Sequence, residues 1–214
     1  NRVTIYGGFL GNETNVDQRD PAANETILSG AIWDAVTNPG YERYWSLHVV
    51  SLKGDSTLDG VTIEQGRANG DEPPYNQGGA VYAPAGTTVT LENCVLRENL
   101  ACESGGAVWG TVKANKSTFD NNLVDNEFLL VPNKQFHTWL FNEKCYGGAI
   151  NGDVTAKECK FLNNTVNTHS LNLGTTTTAT GGAINGSTHV LTECLFDGNS
   201  AVSLSTPKGA SGSD

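Results

Sequence analysis

Polymer cleavage is the first chemistry to test for in this 214-residue chain, because its carboxylates recur at related places. Hydrolysing a glycosidic bond takes two carboxyl groups held on one face, and calcium sites likewise need clustered acids. Glu64, Arg97 and Asp120 sit at equivalent steps of a repeated pattern, and Glu92, Lys157 and Glu158 gather around another. In the first set base alternates with acid, the arrangement of a solvated ion-pair row, where exposed pairs contribute about 0–1 kcal/mol each. The second set is diluted by Asn93, Asn115 and Thr192. No stacked acidic pair results, so no catalytic residue is assigned and the chain is read as a non-enzyme. His48, His137, His169 and His189 fall at unrelated positions, and no Ser or Thr stands in a nucleophile-elbow pattern. No Cys-x-x-Cys or Cys/His spacing marks zinc, so neither metal nor cofactor is expected.

The elements that would position these residues are set by two recurring phrases. Gly-Gly-Ala followed by Val or Ile occurs at Gly78-Gly79-Ala80, Gly105-Gly106-Ala107, Gly147-Gly148-Ala149 and Gly181-Gly182-Ala183. Between them lies a nine-residue phrase covering 91–99, 114–122, 156–164 and 191–199, with a looser copy at 58–66. It closes on Leu96-Arg-Glu-Asn99, Phe119-Asp-Asn-Asn122, Phe161-Leu-Asn-Asn164 and Phe196-Asp-Gly-Asn199. Self-similarity of this kind marks a solenoid. Cys94 and Leu96, Cys159 and Phe161, and Cys194 and Phe196 alternate with polar residues, a period of two that belongs to strands. Short strands and tight turns stacked in parallel make an all-β fold, a parallel β-helix of about five to six coils.

That stacking predicts one inward column of Ile63, Leu96, Phe119, Phe161 and Phe196, and a second of Val61, Cys94, Ser117, Cys159 and Cys194. Asn99, Asn122, Asn164 and Asn199 are expected in the left-handed conformation at a corner, with amides bonded from coil to coil. The Gly-Gly pair supplies positive φ at another corner, and the alanines turn inward. Residues 1–57 read as an irregular opening coil of the same helix, 58–202 as repeat coils and 203–214 as a flexible tail. Both ends read as cut from a longer polypeptide.

Two features stand apart from the repeat. Cys102 and Cys145 lie three and two residues before consecutive Gly-Gly pairs, on adjacent coils, where a Cα separation of about 4.4–6.8 Å would permit a disulfide. The spacing leaves open whether they bridge. The insertion between Leu123 and Tyr146 is the richest in binding-type residues, with Phe128, Phe136, His137, Trp139 and Phe141 as candidates. Loops on rigid scaffolds concentrate binding residues and aromatics anchor interfaces. The same segment is also able to fold back and cover the solenoid's side. The Thr-rich stretch Thr165–Thr180 reads as a mobile loop.

Thirteen basic and 23 acidic residues give a net charge of −10 with no basic stripe, which argues against nucleic acid and anionic membranes as partners. No apolar run reaches the length of a membrane span.

The alternation of Gly-Gly-Ala-[Ile/Val] with Phe-x-x-Asn resembles the repeats of chlamydial polymorphic membrane proteins and of other bacterial surface proteins. The opening Tyr6-Gly-Gly-Phe-Leu-Gly-Asn-Glu-Thr14 and Leu58-Asp-Gly-Val-Thr-Ile63 is similar to Bacteroidetes members in particular. Leu96 in place of Phe and Gly66 in place of Asn depart from the pattern. The resemblance implies a right-handed parallel β-helix on the bacterial cell surface, in the outer membrane or secreted, acting in adhesion through a host-cell protein or glycan. A carbohydrate-active β-helix of the lyase or hydrolase type, or a carbohydrate-binding stalk, is the alternative that fold analogy offers.

Overall fold

Residues 2–32, 44–70, 72–126, 144–169 and 177–204 are described by the computed structural model. Their strands run parallel in four long sheets that wind around a common axis, a parallel β-helix of six coils. The first sheet stacks Val3–Tyr6, Ser56–Asp59, Thr88–Glu92, Thr111–Asn115, Val154–Lys157 and His189–Thr192. A sharp corner leads to the second sheet, Ile27–Ser29, Thr62–Glu64, Val95–Arg97, Thr118–Asp120, Lys160–Leu162 and Leu195–Asp197. The third runs from Arg67–Ala68 through Leu100–Ala101, Leu123–Asp125 and Thr165–His169 to Ser200–Leu204. The fourth follows the Gly-Gly corners: Val50–Ser51, Val81–Tyr82, Val108–Trp109, Ile150–Asn151 and Ile184–Asn185.

The register brings like residues together. Leu28, Ile63, Leu96, Phe119, Phe161 and Phe196 lie directly above one another. The three phenyl rings stack at 4.8 and 4.7 Å with planes within 7° of parallel, so the central ring, Phe161, is covered on both faces by its own kind. Ile63, Leu96, Phe119 and Phe161 are fully buried. Leu96 therefore fills a place that needs an apolar side chain, not an aromatic one. Phe196, in the last described coil, is 44 % exposed because no described coil covers it.

The asparagine column is buried and continuous. Asn99, Asn122 and Asn164 donate from Nδ2 to the Oδ1 of the next amide at 3.0, 2.9 and 2.8 Å. Each also donates to a carbonyl of the preceding coil, as Asn122 does to Leu96 at 2.9 Å. Its Oδ1 meanwhile accepts the backbone N–H of Asn99 at 3.2 Å. All of its hydrogen-bonding capacity is thus used inside the solenoid, which is the condition for burying an amide.

One expectation about this column is corrected. The left-handed residue is not the ladder Asn but its predecessor: Gln65, Glu98, Asn121, Asn163 and Gly198 all have φ between 52° and 65°. That exposed position makes the turn, and the following Asn is left to point inward. Gly66 departs from the Asn pattern for a steric reason, since a Cβ there would stand 1.8 Å from the Gly79 carbonyl oxygen.

The two glycines of each Gly-Gly pair answer different demands. Gly78, Gly105, Gly147 and Gly181 have φ of 63–68°, where side chains are disfavoured. Gly79, Gly106 and Gly148 leave room for a neighbouring backbone; a Cβ on Gly148 would meet the Gly182 carbonyl oxygen at 2.0 Å. Ala80, Ala107, Ala149 and Ala183 are buried.

The opening strands Val3–Tyr6, Ile27–Ser29 and Val50–Ser51 pair in register with the repeat coils. The stretch read as a mobile Thr-rich loop is partly regular: Thr165–His169 continues the third sheet, with Val166 and Thr168 buried. Thr178–Thr180 pairs with Lys144–Tyr146 beside it. Of the tail read at 203–214, Ser203 and Leu204 belong to the strand Ser200–Leu204, and residues 205–214 lie outside the described residues.

The ladder predicts a sharp contrast between neighbours. Asn122→Leu leaves several buried groups unpaired, at about 1–3 kcal/mol each, and should lower stability by about 3 kcal/mol in urea unfolding. Asn121→Gly should be neutral or stabilise by up to about 1 kcal/mol, because φ is already 57° there. Equal losses from the two variants would refute this division of labour.

Candidate functional site

The groups first considered for catalysis are engaged in separate pairings, and the expected ion-pair row stops at Arg97. Glu64 and Arg97 are directly opposed in the second sheet, and Arg97 also reaches Glu25. Its guanidinium lies 2.8 Å from Glu64 and 3.2 Å from Glu25, whose Oε1 also accepts the Thr62 hydroxyl at 2.9 Å. Asp120, the next member, accepts instead from the Asn163 amide at 3.3 Å. Glu92 likewise takes the Asn115 amide at 2.9 Å, and Lys157 pairs with Glu158 at 3.2 Å. A cation held between two anions is a structural clasp on the outer face of the opening coils. Among the described residues no group of three or more His, Cys, Asp or Glu converges as metal ligands would, and no helix is long and apolar enough to cross a membrane.

Phe128, Phe136, His137, Trp139 and Phe141 lie outside the described residues. What is described is where their segment leaves and rejoins the solenoid: after Leu123–Asp125 in the third sheet, and through Lys144–Tyr146 just before a Gly-Gly corner. The repeated-motif residues lie in the inward columns or at the corners of the coils, with Phe196 partly exposed at the last described coil.

The cysteines divide by register. Ser104 bridges Tyr146, which sets Glu103, not Cys102, opposite Cys145. An offset of one residue puts two side chains on opposite faces of a strand, and neither cysteine is in a disulfide. Cys145 instead packs with Ala68, Ala101, Val124 and Val166, its Sγ 3.8 Å from the Cys102 carbonyl oxygen. Burial pushes the Cys94 and Cys145 thiols up to about 11, and raises Cys159 as well.

A site that the sequence reading missed lies on the outer side of the fourth sheet. The residue after each Gly-Gly-Ala-[Val/Ile] is Tyr82, Trp109, Asn151 and Asn185, and the register stacks these four in a line. His48 stacks on Tyr82 at 5.2 Å and Tyr82 on Trp109 at 5.2 Å, with planes 27° and 15° apart. The His48 Nδ1–H donates to the Gly78 carbonyl at 2.9 Å. Burial lowers the His48 pKa, the Gly78 bond opposing it, so the site favours the neutral ring. Beyond Trp109 the column turns polar, and Asn185 Nδ2 donates to Asn151 Oδ1 at 2.7 Å.

One residue further along, the coils form an open groove of about 390 Å³ whose walls include Trp109, Thr111, Asn151, Asp153, Asn185 and Ser187. Its floor is low because Gly110, Gly152 and Gly186 stack there; a Cβ on any of them would come within about 2.1 Å of a carbonyl oxygen of the preceding coil. A larger groove of about 730 Å³ lies beneath the opening loop, and Arg19 and Asp59 in its lining are engaged with each other. Arg19 there pairs with Asp59, donates to the Gly7 and Asp59 carbonyls at 3.2 and 3.1 Å, and lies over the Tyr6 ring. That groove is a seam pinning the loop of residues 7–25 to the coils.

Native thiol accessibility follows from this geometry. A thiol reagent near neutral pH should label partly exposed Cys194 first and reach Cys94, Cys102, Cys145 and Cys159 only on unfolding. A Cys102–Cys145 disulfide in the folded protein, seen as a non-reducing peptide link, would overturn the assignment. No protein-family model, no characterised protein and no solved structure shows a significant match to this chain.

Proposed function

We propose that this chain is a non-enzymatic β-helix of the bacterial surface or the secreted space, acting in adhesion or in contact with a host protein or glycan. The observation that carries this reading is the division of labour across each coil. Gly, Ala, Phe and Asn of the repeated phrases are consumed by corners and core. The variable residue after each Gly-Gly-Ala-[Val/Ile] faces outward, where it lines a rigid, periodic surface. A preorganised surface binds without an ordering cost, which suits recognition. The repeat's resemblance to surface adhesins and the acidic charge agree with display outside the cell. The alternative, polysaccharide cleavage, has its best footing at Glu25, Arg97 and Glu64, the place where two carboxylates approach one base.

The two readings separate in one experiment. Purified protein is expected to be retained on host cells, matrix proteins or glycan surfaces and to release no new sugar ends from polysaccharides. Cleavage of a polymer that Glu64→Gln abolishes, with no retention on any surface, would replace the adhesion reading by the enzymatic one.

A further inference from the structure

We infer that the groove beside Trp109 is a binding site for a linear, uncharged oligosaccharide laid along the solenoid axis; this deepens the surface-recognition reading and rests on it. Shape is the first ground. Four successive coils contribute to the groove, at Ala83–Ala85, Trp109–Thr111, Asn151–Asp153 and Asn185–Ser187, so it runs along the axis and does not close around a compact ligand. Coils repeat at about 4.8 Å, a step comparable to one pyranose unit of an extended chain. A ligand with its own repeat meets equivalent backbone at each step.

Chemistry is the second ground. A pyranose presents an apolar C–H face and a rim of hydroxyls, each able to donate and accept. Trp109, held in place by stacking on Tyr82, offers apolar aromatic surface at the wall. Amides at Asn151 and Asn185, hydroxyls at Thr111 and Ser187 and the carboxylate of Asp153 offer both donors and acceptors. Asp153 keeps one oxygen on the Thr188 N–H at 2.9 Å, which fixes its direction. Thr111, Asp153 and Ser187 are exposed, so the rim is reachable.

Charge selects within the saccharides. Asp153 is the one charged side chain among the described residues lining the groove, and the whole chain carries −10. Uronic, sialylated and sulfated glycans would be repelled. The fit is to neutral hexose or N-acetylhexosamine chains.

The test uses the full chain with neutral linear oligosaccharides built on glucose, mannose, galactose or N-acetylglucosamine, and with heparin and sialylated glycans as acidic probes. Calorimetry should show binding to at least one neutral series and none to the acidic ones. Ser187→Arg, on an exposed rim position where folding is unaffected, should weaken that binding about tenfold or more by filling the groove, and Trp109→Ala should do the same. Neutral-sugar binding that both variants leave unchanged would overturn the site. Retention on cells or matrix proteins without any neutral-sugar binding would overturn the inference and leave surface recognition standing. No retention on any surface would remove both.

Discussion

Every coil of this molecule must present the same inward shape as its neighbours, because parallel in-register stacking leaves each side chain one interstrand step from its equivalent. From that single constraint follow the stacked phenyl rings, the continuous amide column and the alternation of small and large residues. A phenyl ring can satisfy it by burying both faces against its own kind. An amide can satisfy it because it carries donor and acceptor together, so Asn164 is at once the acceptor for Asn122 and the donor to Asn199. A residue with donors alone or acceptors alone could not repeat through the column without leaving a buried group unpaired.

The corners obey the same constraint by different means. Where the chain turns between the first and second sheets, the left-handed residue is exposed and its identity hardly matters: Asn93, Lys116, Glu158 and Glu193 all occupy it. At the Gly-Gly corner neighbouring backbones approach so closely that no side chain fits on the second glycine. One corner tolerates almost any sequence and the other dictates it, and this explains why the Gly-Gly pair is so conspicuous a signal.

Much of this was legible in the sequence because inward and corner positions are the ones stacking restricts. The Phe column and the Cys-Ser column could be read from spacing, whereas Val3–Tyr6 is placed on the same helix only as a β-prone run. The left-handed residue was misplaced by one because Asn is common both in the turn and in the ladder; only the amide bonds distinguish Asn121 from Asn122. Cys102 and Cys145 were set together by counting to the Gly-Gly pair, where a one-residue difference reverses the face. The Tyr82–Trp109–Asn151–Asn185 line was visible as the residue after each Gly-Gly-Ala-[Val/Ile]. It was overlooked because outward positions vary, and variation hides a column until register reveals it.

The outer face is free of the like-on-like rule, and this freedom is what makes it available for recognition. Inside, a change in one coil disturbs the coils above and below; outside, an aromatic can give way to an amide between Trp109 and Asn151 without cost to the stack. Yet the outer residues inherit the rigidity of the ladder beneath them, since each is flanked by buried neighbours such as Val108 and Ile150. Sequence diversity is therefore held at fixed spacing along one axis. Under the proposed recognition role, such a surface suits a partner that also repeats, and the side chains at successive steps would set its selectivity.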